Sequence, residues 1–197
     1  YYPEREYSMA ELIALYDDEA SITIEPAGQI EMSIKPCCQV PDIDRIYKKF
    51  LDRAEPILKE RGMRLINLGY TPRSNAGSEE LIPKTRYELM DKYFKSTGTM
   101  GRNMMRATAS TQVSIDFSDE TDCVKKLRTA NLLTPVFSLM TDNAPFFEGK
   151  RCAGRMLRTK IWDNVDPARC GTVPGLFDDD FGFMRYAEYI SNSPPIL

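Results

Sequence analysis

Between Ile22 and Ile34 the apolar residues fall on alternate positions, with one interruption at Pro26-Ala27-Gly28. Ile22 and Ile24 precede the break, and Ile30, Met32 and Ile34 follow it. Period-two alternation belongs to extended backbone with one face buried, and a Pro-x-Gly interruption turns or kinks the chain. A strand, a kink and a second strand are therefore expected here. Any fold of this chain must place a sheet over these residues. In the second half Glu31, Ser33 and Lys35 stand on the face opposite Ile30, Met32 and Ile34. Glu25 and Glu31 bracket the kink. They are either exposed strand charges or, if the kink draws them closer, a pair able to share one cation.

Further elements follow from pattern. Ser8 with Glu11 reads as a capping box, predicting a short helix over 8–17. Ile43, Ile46, Phe50, Ala54 and Leu58 recur at helical spacing, predicting a helix over 41–61, capped by Asp42 and ended by Gly62. Strands are expected over 64–70, 107–117 and 156–162. Residues 71–80 are expected as a loop. Helices are expected over 85–94, from Ser118 to about Met140 with a kink or break at Pro135, and over 180–191. Strands interleaved irregularly with helices exclude the regular alternation of a doubly wound sheet. The predicted class is α+β, antiparallel-looking strands with helices set between them, in one domain spanning 1–197.

Composition narrows the chemistry. Histidine is absent, which removes Ser-His-Asp triads, Cys-His dyads and imidazole-bound metals. A metal would have to sit on oxygen ligands, favouring Mg²⁺ or Mn²⁺ over zinc. The net charge of −3 argues against nucleic acid or an anionic membrane as partner. No apolar run reaches the roughly 18 residues that span a bilayer. The five cysteines are odd in number and irregularly spaced, as for reduced thiols in a cytoplasmic protein. The chain starts Tyr1-Tyr2-Pro3, without Met, and is expected to be a piece of a longer protein.

Two further groups can carry chemistry. Thr108, Ser110, Gln112 and Ser114 alternate along 107–117, making one face a row of hydroxyl and amide groups. Such a face either meets water or binds a polar substrate. Arg86 opens a helix after Pro83-Lys84-Thr85, and Arg158 lies in Leu157-Arg-Thr-Lys-Ile-Trp162. The guanidinium fork suits carboxylate or phosphate, although arginine is also common on surfaces. Asp178-Asp-Asp180 reads mainly as structural, with Asp180 as a helix cap.

Taken in order, several segments resemble the glutamate–cysteine ligases of plant and bacterial type. They are Glu25-Pro-Ala-Gly-Gln-Ile-Glu31, Pro83-Lys-Thr-Arg-Tyr87, Met104-Met105 through Gln112-Val113-Ser-Ile-Asp-Phe117, Asn143-Ala-Pro-Phe146 with Glu148-Gly149, Arg158-Thr-Lys-Ile-Trp162, and Phe177-Asp-Asp with Phe181-Gly-Phe183. The resemblance implies an antiparallel curved sheet with flanking helices, part of an incomplete glutamine-synthetase-like catalytic domain that uses ATP and Mg²⁺. It implies that the γ-carboxylate of glutamate is phosphorylated and that the amine of cysteine then attacks the acyl phosphate. Such chemistry depends on positioning and charge neutralisation and needs no histidine base. By the same resemblance Glu25 and Glu31 are metal ligands. Arg86 and Arg158 hold the glutamate carboxylate or the transferred phosphoryl group, and Thr108, Ser110 and Gln112 line the substrate pocket. Two departures stand out: Pro26-Ala27-Gly28 replaces Pro-Gly-Gly, and Ala107 replaces an arginine, with Arg106 one place earlier. The family's early Glu-x-Glu strand, a further source of metal ligands, is expected to lie before Tyr1. These residues alone are accordingly expected to be inactive and capable of self-association. The alternatives are a carboxylate–amine ligase with a different amine acceptor, or a non-catalytic remnant that binds metal or a partner.

Overall fold

A computed structural model describes residues 4–8 and 11–196. The chain forms two units. One comprises the described residues through Asn67 together with Glu80–Tyr87, and the other comprises Leu68–Glu79 and the residues from Glu88 onward.

In the first unit four strands form an antiparallel meander: β1 (Glu4–Ser8), β2 (Glu11–Tyr16), β3 (Ala20–Ile24) and β4 (Ile30–Ile34). The alternating stretch is thus a β-hairpin, with Ile22 opposite Met32 and Ile24 opposite Ile30. The interruption reverses the chain rather than kinking one continuous strand. The helix expected over 8–17 is instead largely β2, with Met9 and Ala10 outside the described residues. Here tertiary pairing overrides the capping signal, because β2 lies between β1 and β3 and bonds to both. The β2–β3 turn is closed by Asp17, whose carboxylate accepts from the Glu19 and Ala20 amides at 2.9 and 2.8 Å.

Helix α1 (Val40–Glu60) matches its prediction and buries Ile46 and Phe50. Its N-cap is Gln39, without a side-chain bond, and Asp42 sits in the first turn instead of capping. Arg45 and Lys49 both reach Glu19, tying the helix to the β2–β3 turn.

Helix α2 (Thr85–Thr97) follows where expected. In the second unit α3 (Gly101–Ala107) forms where the sequence pattern predicts no helix. Neither 64–70 nor 107–117 forms a ladder, and the two stretches meet only in the bridge between Tyr70 and Thr108. Alternation gives a segment two faces but does not supply the neighbour that makes it a strand. Val113 and Ile115 are consequently 78% and 73% exposed.

Helix α4 (Glu120–Met140) runs through Pro135 without ending there, and its cap is Asp119 rather than Ser118. Strands β5 (Phe146–Phe147) and β6 (Lys150–Arg151) make a small hairpin. The strand expected over 156–162 is helix α5 (Leu157–Trp162). Met156 enters it with a left-handed φ of 62° and donates its amide to Asp142. Leu157 and Ile161 then lie one turn apart, and Ile161 is fully buried. Helix α6 (Phe183–Asn192) has Gly182, not Asp180, at its N-cap, and the Phe183 amide donates to Glu120 at 2.6 Å. Tyr70, Ile161, Val165 and Leu176 form the most buried part of this unit. The fold is α+β. Among the described residues no helix is long and apolar enough to cross a membrane.

Candidate functional site

The first group of predicted site residues is built on the β3–β4 hairpin. The Glu25 amide donates to the Gln29 carbonyl and the Gly28 amide to the Glu25 carbonyl, both at 2.9 Å. Gly28 has φ 84°, a conformation that side chains disfavour, so the turn requires glycine there. Thr23 lies opposite Glu31 in the ladder, which puts Thr23, Glu25 and Glu31 on one face. The Thr23 hydroxyl donates to the Glu31 carboxylate at 3.2 Å, and Glu31 lies near enough to Glu25 for its charge to act on it.

Burial pushes the Glu25 carboxyl above its ordinary range, and the Glu31 charge pushes the same way. Arg86 and Lys84 oppose the shift without cancelling it. Two carboxylates this close cannot both ionise cheaply without a cation between them or beside them. The oxygen-only donor set fits a hard divalent ion such as Mg²⁺. Among the described residues, however, no group of three or more acidic, cysteine or histidine side chains could hold a metal, so the pair is at most part of a cage.

The basic segment comes to this hairpin through the backbone, since the Ile82 amide donates to the Pro26 carbonyl at 2.9 Å. Tyr87 is buried, and the Lys84 ammonium and Arg86 guanidinium lie 5.5 and 5.6 Å from its ring centre. That distance is cation–π range. Lys84 and Tyr87 were not singled out from sequence. Their signal was adjacency to Arg86 within Pro83-Lys-Thr-Arg-Tyr87.

The second group lies in the second unit. Arg158, on α5, donates from one Nη to the Ala109 carbonyl at 2.6 Å and from the other to Ser110 Oγ at 2.5 Å. Burial lowers its pKa from the ordinary arginine value. Its Nε is buried without a hydrogen-bond partner. The Thr108 hydroxyl donates to the Met104 carbonyl at 2.6 Å, closing the end of α3. Gln112 lies in the exposed run that follows. The structure therefore brings Glu25, Glu31 and Arg86 together in one unit, and Arg158 and Ser110 in the other.

The displaced arginine, Arg106, is committed to the fold. It is buried, donates to the Glu79 carbonyl at 2.6 Å and pairs with Asp91 at 2.5 Å. Arg102 and Lys95 pair with the same carboxylate. Burial alone would raise the Asp91 pKa, but its bonds to Arg102, Lys95 and Arg106 outweigh that and lower it to about 2.

Comparison with known proteins assigns the family. The family model described as Glutamate-cysteine ligase family 2 (GCS2) matches residues 5–197. The chain belongs to this family. Among curated proteins, the family member glutamate–cysteine ligase A, chloroplastic, of Oryza sativa subsp. japonica is 35% identical over 183 residues, covering 93% of this chain and 37% of that protein. The chloroplastic glutamate–cysteine ligases of Arabidopsis thaliana and Medicago truncatula are each 33% identical over 183 residues, covering 93% of this chain and 35% and 36% of theirs. This member of glutamate–cysteine ligase family 2 thus spans little more than a third of the length of the relatives it matches.

Proposed function

We propose that the protein to which these residues belong joins the γ-carboxylate of glutamate to the amine of cysteine at the expense of ATP. The observation that carries this reading is the family match across residues 5–197. A γ-carboxylate oxygen attacks the terminal phosphorus of ATP, and the bond to ADP breaks. The cysteine amine then attacks the acyl carbon of γ-glutamyl phosphate, and phosphate leaves as the amide forms. Both steps concentrate negative charge on phosphoryl oxygens, so the protein's task is neutralisation and alignment.

Glu25 and Glu31 would hold Mg²⁺, which supplies positive charge to the phosphates. The raised Glu25 pKa supports this, because burial and the Glu31 charge outweigh the nearby Arg86 and Lys84, and a further positive charge would relieve the pair. Arg86 and Arg158 carry the fixed positive charges for the phosphoryl group or the glutamate carboxylates. The hydroxyls divide by hydrogen-bond bookkeeping. Thr108 spends its single hydrogen on Met104 and has acceptor capacity to offer an ammonium group. Ser110 accepts from Arg158 and keeps its own hydrogen to donate to a carboxylate. A row offering both suits an amino acid, and Gln112 extends it. Five free thiols support a reducing compartment such as the cytoplasm, although the relatives named above are chloroplastic. The isolated 197 residues are also proposed to self-associate.

The test is phosphate release by the full-length protein. Release requiring ATP, Mg²⁺, glutamate and cysteine together is expected. Release that does not depend on glutamate overturns the reading. Faster turnover with another amine in an acceptor screen replaces cysteine and leaves the rest.

A further inference from the structure

Arg158 reaches its two partners by an unusually tight route. Its stem passes the Cα of Gly69, and a Cβ built there would stand 2.8 Å from Arg158 Cδ and 2.6 Å from Asn143 Oδ1. Real Cβ contacts essentially never come below 3.0 Å, so both side chains, or the backbone at Gly69, would have to move. The φ of Gly69 is not among the positive values, so the backbone does not demand glycine; only space does. The surrounding backbone is fixed independently. The Gly69 amide donates to the Asn143 carbonyl at 3.3 Å, its carbonyl accepts from the Ala109 amide at 3.2 Å, and the Thr71 amide donates to Ala107 at 2.8 Å. The backbone on which a new methyl would sit is thus held on both sides, so the Arg158 stem and the Asn143 side chain are what must give way.

We infer that Gly69 is a positioning residue for Arg158: its missing side chain is the slot that lets the guanidinium lie against Ala109 and Ser110. The role rests on the assignment of Arg158 to the ligase site. The observable itself, where the guanidinium lies, does not depend on that assignment.

The experiment is Gly69→Ala in the full-length protein, read three ways. The Arg158 guanidinium is followed by nitrogen-15 NMR, with Arg158→Ala to assign the signal. Bonded to Ala109 and Ser110, it is expected to be slowly exchanging in the wild type and to lose that protection in Gly69→Ala. Kinetically, kcat/KM is expected to fall roughly 100-fold, as for a misplacement of about an ångström at a reacting centre. In an Arg158→Ala background the same Gly69→Ala change is expected to have no further effect on kcat/KM, since the two act as one unit. Thermal melting controls for general damage. An unchanged Arg158 signal in a folded Gly69→Ala protein overturns the inference. So does a loss of activity that is additive with Arg158→Ala and follows a lowered Tm. If the wild type shows no glutamate-dependent phosphate release, the functional reading fails, and the NMR comparison still decides whether Gly69 positions Arg158.

Discussion

The Glu25–Glu31 pair carries a cost that its proposed ligand would remove. The Glu25 carboxyl has a raised pKa in the folded state, above the ordinary value of 4.5. The folded protein therefore binds this proton more tightly than the unfolded chain. Its contribution is full at pH below 4.5 and is lost as pH climbs through the raised value. Metal-free protein is expected to lose thermal stability over that rise, and Mg²⁺ to restore it, as differential scanning fluorimetry across pH would show. Glu31→Gln removes one of the two charges and is expected to flatten the metal-free pH dependence. Turnover of the full-length protein is expected to fall by about two orders of magnitude or more. Near-normal rates for Glu31→Gln at saturating Mg²⁺ would exclude the metal role. Asp91 behaves in the opposite sense. Its depressed pKa gives stability that is present above 3.8 and lost as pH falls toward about 2. Asp91→Ala strands Arg106 in the interior and is expected to cost about 3 kcal/mol in urea unfolding. The chemistry of both clusters was visible as residue types. Their pairings were not: Asp91 lies fifteen positions from Arg106, and nothing local marks the two as partners.

At the scale of elements, long amphipathic patterns were legible and short ones were not. Helix α1 follows from five apolar residues in helical register, and the burial of Ile46 and Phe50 agrees with that pattern. The stretch 156–162 carried too few residues to separate period two from period three or four, and burial of Ile161 decided for helix. The Ser8–Glu11 signal failed for a different reason, because ladder bonds on both edges of β2 outweigh one potential cap. In α4 the choice between Ser118 and Asp119 lay within the usual uncertainty of helix ends. Asp119 accepts from the Asp122 amide at 2.9 Å, and Ser118 donates its amide to Asp122 at 3.0 Å. Asp119→Ala is expected to cost about 1 kcal/mol in chemical denaturation, and Ser118→Ala distinctly less.

At the scale of the molecule, an alternating segment without a ladder and helices with exposed apolar side chains coexist with a buried core. Leu132, Val136, Phe137 and Met140 on α4 and Met184 and Ile190 on α6 are each more than half exposed, as are Val113 and Ile115. Apolar surface of this extent favours association, and so does extended backbone without a partner. Sedimentation velocity on the isolated 197 residues is expected to show mass rising with concentration. A strictly monomeric profile into the high micromolar range would refute it. The β3–β4 hairpin has a subtler property. Through Pro26, the turn carrying Glu25 is bonded to Ile82, just before Lys84 and Arg86. Acid and base in that cluster are then one cooperative piece of structure rather than two neighbours. Their backbone amides are expected to open together: under hydrogen exchange, Glu25 and Ile82 should share one protection factor, and a change that loosens the turn should expose both at once.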